Sequence, residues 1–181
     1  AYVGVLTSDR FLDRLLDAID DYDDLVLDIG GFGPLASVIE ERSKANPRII
    51  FHGKVPYETA LELEKNSDVM LGLYDPAIPN NRLAAPNKYY ESLMLGTPLL
   101  AVRGTSVGDW VESEDTGYAL NSDFTPDDFY LAICDLAKRN KNGDMSRRQI
   151  AIYRKEHSWA VMAQRLCAIY DNFRLEMCGG A

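Results

Sequence analysis

The chain is poor in the residues on which several common chemistries depend. Its 181 residues include three cysteines, Cys134, Cys167 and Cys178, and two histidines, His52 and His157. Three thiols without C-x-x-C spacing argue against a disulfide framework and a zinc site, and point to a reducing cytosol. Neither histidine has a partner at metal-ligand spacing, so no metal is expected. No apolar run approaches the roughly 18 residues of a membrane span and no signal peptide opens the chain, so this segment is not expected to enter a membrane. Positive charge is in deficit: 19 Lys and Arg stand against 28 Asp and Glu, a formal charge of −9. Nucleic acid, whose phosphates need clustered cations, is therefore an unexpected partner, and docking of this segment on an anionic membrane surface is disfavoured. The first residue is Ala1 rather than methionine, which suggests a domain cut from a longer chain.

What is present is ordinary for a folded soluble domain, with 46% apolar and 26% charged residues. The length fits one domain over residues 1–181 with a sizeable core. Much of the acid lies between Asp13 and Asp28, read as a solvated helix face and loop. Short β-rich runs alternate with helical segments. Tyr2 to Leu6, Leu25 to Ile29, Ile49 to Phe51, Val69 to Leu73, Pro98 to Val102 and Gly117 to Leu120 read as strands. Leu12, Leu15, Leu16 and Ile19 form a helical stripe, Pro34 suits the first turn of a second helix, and residues 57 to 66 suit a third. Pro86 opens a further helix that Gly96 ends. Runs such as LVLDI and PLLAV are apolar without clean alternation, as strands covered on both faces should be. The pattern predicts a doubly wound, Rossmann-like parallel sheet of about six strands flanked by helices. This core spans about residues 1–140, and helices over about 141–175 complete the domain. The last helix carries Trp159, Met162, Ala163, Leu166, Ile169, Tyr170 and Phe173 on one face, with Trp159 expected in the core.

Gly31-Phe32-Gly33-Pro34-Leu35-Ala36 fits the G-x-G-x-x-G/A fingerprint of dinucleotide sites. Its context does not. The fingerprint should follow the first strand of its unit, and an acidic residue about 20 positions on should hold a ribose. Here it follows the second strand, and the third ends His52-Gly53-Lys54 without a carboxylate, which excludes NAD. Gly30, Gly31 and Gly33 remain candidates for close backbone approach to an anionic ligand at a helix N-terminus, against the alternative of a tight strand-to-helix turn.

Several segments in fixed order carry a family resemblance: "YVGVLTSDRFLDRLLDAI", "LVLDIGGFGPLASVIEE", "RIIFHGKVPYETALELEKNSDVML", "PNKYYESLMLGTPLLAV", "DTGYAL" and "HSWAVMAQRLCAIYDNF". Together they resemble the C-terminal half of GT-B glycosyltransferases, particularly the large family 4 group. The most specific piece is Lys88-x-x-Glu91 running on to Gly96-Thr97-Pro98. The resemblance implies that this half binds a nucleotide-sugar donor while a separate N-terminal half, absent from this chain, binds the acceptor. It implies Gly4 under the diphosphate, Arg10 as a phosphate-binding cation, the Phe51 to Val55 segment with Lys54 and Val55 beside the nucleobase, and Glu91 on the ribose hydroxyls. A carboxylate suits a vicinal diol because it accepts both hydrogens. Asn87 and Lys88 lie in the first turn of the same helix, where free N–H groups stabilise phosphate. The reaction implied is metal-independent sugar transfer to an acceptor hydroxyl for a polysaccharide or glycolipid. It needs no resident cofactor and takes place in the cytoplasm or, through the missing half, at the inner face of a membrane.

Two departures from the resemblance are visible. Leu83 stands where such enzymes commonly carry a sugar-facing Glu, and Val5 where a second phosphate-binding Arg is usual. Lys88 is the candidate to supply the charge that Val5 lacks. Asp75, Asn80, Asn81 and Arg82 precede the helix and read as a solvated polar loop, with replacement of the missing Glu as the alternative. Leu83 and Val5 together leave open a nucleotide-sugar-binding module that does not catalyse. A third reading is an α/β-hydrolase: Gly104-Thr105-Ser106-Val107-Gly108 matches G-x-S-x-G, with Asp123 and His157 following in the required order. The alternative there is a flexible glycine-rich loop.

Overall fold

The strand–helix alternation is realised in a computed structural model that describes residues 1–178. Tyr2–Val5 forms β1, and a 3-10 turn at Ser8–Arg10 leads into α1, Leu12–Asp21. Next come β2 (Leu27–Phe32), α2 (Ala36–Ala45), β3 (Ile49–Gly53), α3 (Tyr57–Lys65) and β4 (Met70–Leu71). They are followed by α4 (Pro79–Leu83), α5 (Asn87–Leu95), β5 (Leu99–Val102), α6 (Ser106–Ser113) and β6 (Gly117–Leu120). After these come α7 (Pro126–Arg139), α8 (Asp144–Ile152), a π-helical turn at Tyr153–His157, and α9 (Trp159–Cys178).

All the strand pairs are parallel. They do not make the single sheet of about six strands expected from the sequence. Hydrogen bonding divides them into two three-stranded sheets, β1-β2-β3 and β4-β5-β6. The two meet where β1 lies beside β4. There the Leu71 N–H donates to the Ala1 carbonyl at 3.0 Å, and the Ala1 amine donates to the Val69 carbonyl at 2.7 Å. Because β4 is two residues long, no ladder continues toward the carboxyl ends. From this seam the chain runs outward to β3 in one direction and to β6 in the other. Such a switch point leaves a crevice at the carboxyl ends of the strands.

Side chains of β5 show why its sequence is apolar throughout. Leu100 and Val102 pack with Leu12, Leu15, Phe129 and Leu136 of α1 and α7, whereas Leu99 and Ala101 pack with Leu93, Val107 and Val111 of α5 and α6. Both faces are covered, and each buried leucine contributes about 1.5–3 kcal/mol. α8 is held to α5 by Gln149, whose Nε2 donates to the Thr97 carbonyl at 2.8 Å and to the Ser92 carbonyl at 3.3 Å. The acids from Asp13 to Asp24 are exposed, Asp28 is half-buried, and Arg42 bridges Asp17 and Asp20.

Four local expectations fail for identifiable reasons. β2 does not stop at Ile29 but runs through Phe32, so Gly30 and Gly31 are strand residues paired with Val3 and Gly4. Pro34 lies in the turn before α2 rather than in its first turn. The "GTSVG" stretch is not a flexible loop, because the Thr105 side chain accepts from the Gly108 N–H at 3.1 Å and starts α6, a cap worth about 1 kcal/mol. Trp159 is 79% exposed rather than core. Ser158 is extended and breaks the helical path, and α9 then carries Trp159, Leu166, Ile169, Tyr170 and Phe173 exposed among the described residues.

Candidate functional site

The end of β2 is pressed against the backbone of β1 and of the loop that follows β1. A Cβ on Gly31 (φ +148°) would overlap the Gly4 carbonyl oxygen, and one on Gly33 (φ +151°) would stand 2.5 Å from the Leu6 carbonyl oxygen. The missing side chains let the two strand ends close. Gly4 differs: the atoms nearest its missing Cβ are side-chain atoms at ordinary contact distance, the Tyr2 hydroxyl at 3.5 Å and Tyr2 Cζ and Lys88 Cε at 3.8 Å. The Tyr2 hydroxyl is itself fixed, donating to the Val5 carbonyl at 2.7 Å.

Gly4 borders a cleft of about 350 Å³ beyond the carboxyl ends of β1 and β4, a volume in the range of small-molecule sites. The cleft brings together Gly4, Val5, Arg10, Asn87, Lys88 and Glu91, which the sequence holds far apart. Gly31, Gly33, Lys54 and Val55 do not line it. Lys54 reaches over the Phe32 ring at 5.4 Å, and a Cβ on Gly30 would meet Val55 Cγ2 at 3.5 Å, so both sit at the neighbouring ends of β2 and β3. Hollows of about 390, 420 and 410 Å³ lie elsewhere, so size does not distinguish the cleft. Its lining does.

Arg10 leaves the 3-10 turn with its guanidinium 4.4 Å from the Tyr74 ring centre and 3.1 Å from the Asp9 carboxylate, and it donates to Asn81 Oδ1 at 3.3 Å. Asn81 also donates from Nδ2 to the Asp75 carbonyl at 3.1 Å and is 6% exposed. The stretch read as a solvated polar loop is therefore anchored at Asn81, because Arg10 and the α4 turn need its amide. Leu83 at the end of α4 is 84% exposed, and Val5 is 44% exposed with no charge in its place.

α5 turns its amino end to the cleft. No side chain caps the helix at Pro86, so the Asn87 and Lys88 amides keep their donors free, while the Tyr89 N–H donates to the Pro86 carbonyl at 3.1 Å. Lys88 extends inward and donates from Nζ to Glu64 Oε1 at 2.8 Å, with the Tyr2 ring centre 5.2 Å away. Glu64 is 2% exposed, and its Oε2 has no hydrogen-bond partner. The ammonium offered by the sequence as a substitute for the cation lacking at Val5 is thus shared with a buried carboxylate. Glu91 stands one turn further along α5. Burial, and then the charge of Glu64, push its carboxyl above the ordinary range, while the Tyr57 hydroxyl and Lys88 pull it back. Tyr57 is in turn pushed up to about 12, by burial first and Glu91 next.

Each cleft cation therefore has a carboxylate partner, and Glu91 adds a further acid. What the cleft offers an anion is the free end of α5 together with the outer faces of two partnered cations. Sequence reasoning missed Glu64, Tyr57 and Tyr74. Glu64 left a signal: it falls seven residues after Tyr57, on the stripe that Ala60 and Leu61 continue, where an apolar residue is expected.

Ser106, Asp123 and His157 are not brought together as a hydrolase needs. The Ser106 hydroxyl donates to the Arg82 carbonyl at 3.0 Å. The His157 ring packs against Tyr90 and Tyr89 with centres 5.2 and 6.1 Å apart, and Asp123 borders a separate hollow with Arg103 and Asn121. Among the described residues no hydrogen bond joins the three. Nor, among the described residues, do three or more His, Cys, Asp or Glu gather as a metal site, and no helix is long and apolar enough to cross a membrane.

Comparison with known proteins gives this geometry a context. The sequence pattern of the family described as Glycosyl transferases group 1 matches residues 1–139. The chain belongs to that family. Among solved structures, Anabaena HepE in complex with UDP-glucose superposes with a TM-score of 0.69 at 14% identity, over 94% of this chain and 48% of its own. The pneumococcal O-GlcNAc transferase GtfA, in complex with UDP and GlcNAc, gives 0.67 at 17% identity over 94% of this chain and 35% of its own. WaaG, a glycosyltransferase of lipopolysaccharide biosynthesis, gives 0.66 at 11% identity over 91% and 45%. No curated protein sequence matches the chain. The group 1 chain thus spans from about a third to about half of these structures. At such identities the likeness establishes the fold, that of a C-terminal GT-B domain.

Proposed function

We propose that the cleft between β1 and α5 holds the nucleoside diphosphate of a sugar donor. The domain would then be the donor half of a glycosyltransferase passing a sugar, of the hexose type, to an acceptor hydroxyl in polysaccharide or glycolipid synthesis. The observation that carries the reading is the convergence of Gly4, Arg10, Glu91 and the uncapped end of α5 on one crevice at the strand switch point. Membership of the group 1 family supports sugar transfer, and the HepE and GtfA complexes support a nucleoside diphosphate as the ligand class.

In this account Gly4 leaves room for the diphosphate, and the Asn87 and Lys88 amides face it with the helix dipole behind them. Breaking the bond between the anomeric carbon and the diphosphate oxygen leaves negative charge on the departing diphosphate. Arg10 and the α5 amides are fixed before that charge develops, so they stabilise the transition state more than the ground state. Glu91 accepts from the ribose diol. Lys54 and Val55, two strand ends away, flank the base, while Gly31 and Gly33 hold β1 in place without touching the ligand. The nucleotide sugar is the substrate and no resident cofactor enters the step. The acceptor site and any catalytic base belong to an N-terminal half, for which the exposed apolar face of α9 is the landing surface. That half also provides any attachment at the inner face of a membrane, and the work is cytoplasmic. This chain alone transfers little or no sugar.

One observation favours a second reading, a donor-binding module without catalysis: exposed Leu83 puts no carboxylate where the sugar would lie. Fusion to the native N-terminal half separates the two, since donor-dependent transfer requires the first. The binding step is tested by thermal denaturation with UDP, GDP, ADP and CMP-linked ligands. One of them at 100 times its dissociation constant is expected to add about 2.7 kcal/mol, and Glu91→Ala to abolish the gain. A domain that none of these ligands stabilises refutes the assignment.

A further inference from the structure

The floor of the cleft holds a buried ion pair, Glu64–Lys88, whose carboxylate the proposed function does not use. We infer that Glu64 is an affinity-setting counter-charge: it holds the Lys88 ammonium in place in the empty cleft and tempers its pull on the ligand's diphosphate. The inference rests on the nucleoside diphosphate reading of the cleft. Glu64 projects from α3, whose other acids Glu58 and Glu62 are exposed, into a position 2% exposed. There one carboxylate oxygen takes Lys88 Nζ at 2.8 Å and the other has no partner. A carboxylate or an ammonium buried alone is strongly disfavoured, so each group accounts for the presence of the other.

The pair carries no net charge, and Glu91 lies on the same face of α5 three residues beyond Lys88. An entering diphosphate therefore meets an ammonium already committed to a carboxylate. It must share Lys88 with Glu64, and the product leaves correspondingly easily. A purely structural Glu64 makes the opposite prediction, since weakening the pair would displace Lys88 and weaken binding. The sign of the effect on affinity separates the two roles.

The experiment is calorimetric titration of the protein with UDP, GDP and ADP at fixed ionic strength. Absence of binding to all three refutes the functional reading and this inference with it. Given a nucleoside diphosphate that binds, Glu64→Gln keeps the size and an acceptor for Lys88 but removes the charge. It is expected to tighten binding about three- to tenfold. Unchanged or weaker binding overturns the inference and leaves the functional reading standing. Should Glu64→Gln not fold, Glu64→Ser takes its place, a smaller neutral side chain that leaves room for water beside Lys88. It too is expected to bind the nucleoside diphosphate at least about threefold more tightly than the wild type, because Lys88 is no longer shared with a carboxylate. Equal or weaker binding by Glu64→Ser overturns the inference.

Discussion

At the end of β2, Gly31 and Gly33 are glycine because the chain's own carbonyls, those of Gly4 and Leu6, occupy the space a side chain would need. At the end of β1, Gly4 is glycine beside a cleft, with no backbone atom among the nearest neighbours of its missing side chain. The motif most conspicuous in the sequence thus serves strand packing, and an isolated glycine one strand away borders the cleft. A fingerprint reports that backbone must approach something closely. Only the surroundings tell whether that something is a ligand or the next strand.

The contrast breaks most severely at Gly31. Gly31→Ala forces a Cβ onto the Gly4 carbonyl at positive φ and is expected to cost about 4 kcal/mol or more, seen as loss of the cooperative denaturant transition. Gly33→Ala follows the same logic with a somewhat smaller penalty. Gly4→Ala sharpens the comparison from the other side. Its stability is expected to change by less than about 1 kcal/mol, while nucleoside diphosphate affinity falls about tenfold because the methyl group occupies ligand space. Comparable stability losses at Gly4 and Gly31 would erase the distinction.

The smallest effect concerns Glu91, whose folded-state pKa is raised. Its stabilising contribution is present in acid, below the unfolded pKa, and is lost as pH rises through the folded pKa. Glu91→Gln is therefore expected to raise the melting temperature slightly at neutral pH and to leave it unchanged in acid. On the proposed ribose contact, nucleotide binding by the wild type is expected to run the other way, strengthening as pH rises through the raised pKa, because only an ionised carboxylate accepts from both hydroxyls of a diol. A melting temperature lowered by Glu91→Gln at neutral pH would contradict the burial argument.

Much of this was legible in the sequence because the signals are local. The stripe from Leu12 to Ile19, the apolar LLAV strand and the Pro86 to Gly96 helix each declare themselves within a few residues. Gly4, Arg10, Asn87, Lys88 and Glu91 were named together through a resemblance in the order of their segments, and the structure places all five around one cleft. What could not be read depends on contacts across the fold. The overlap of Gly31 with Gly4 exists only once β2 pairs with β1. Asn81 reads as a loop residue until Arg10, 71 positions earlier, bonds to it. Glu64 is one of several acids on α3 until Lys88 arrives from α5. The exposure of Trp159 reflects the break at Ser158, which an unbroken apolar stripe conceals.

Mapping of backbone amide resonances during titration with the stabilising nucleoside diphosphate tests the central claim most directly. The account predicts saturable shifts at Gly4, Arg10, Asn87, Lys88 and Glu91, with the α5 amides among the largest. Shifts centred on the hollow lined by Arg103, Asn121 and Asp123, with the β1 and α5 amides unmoved, would contradict it.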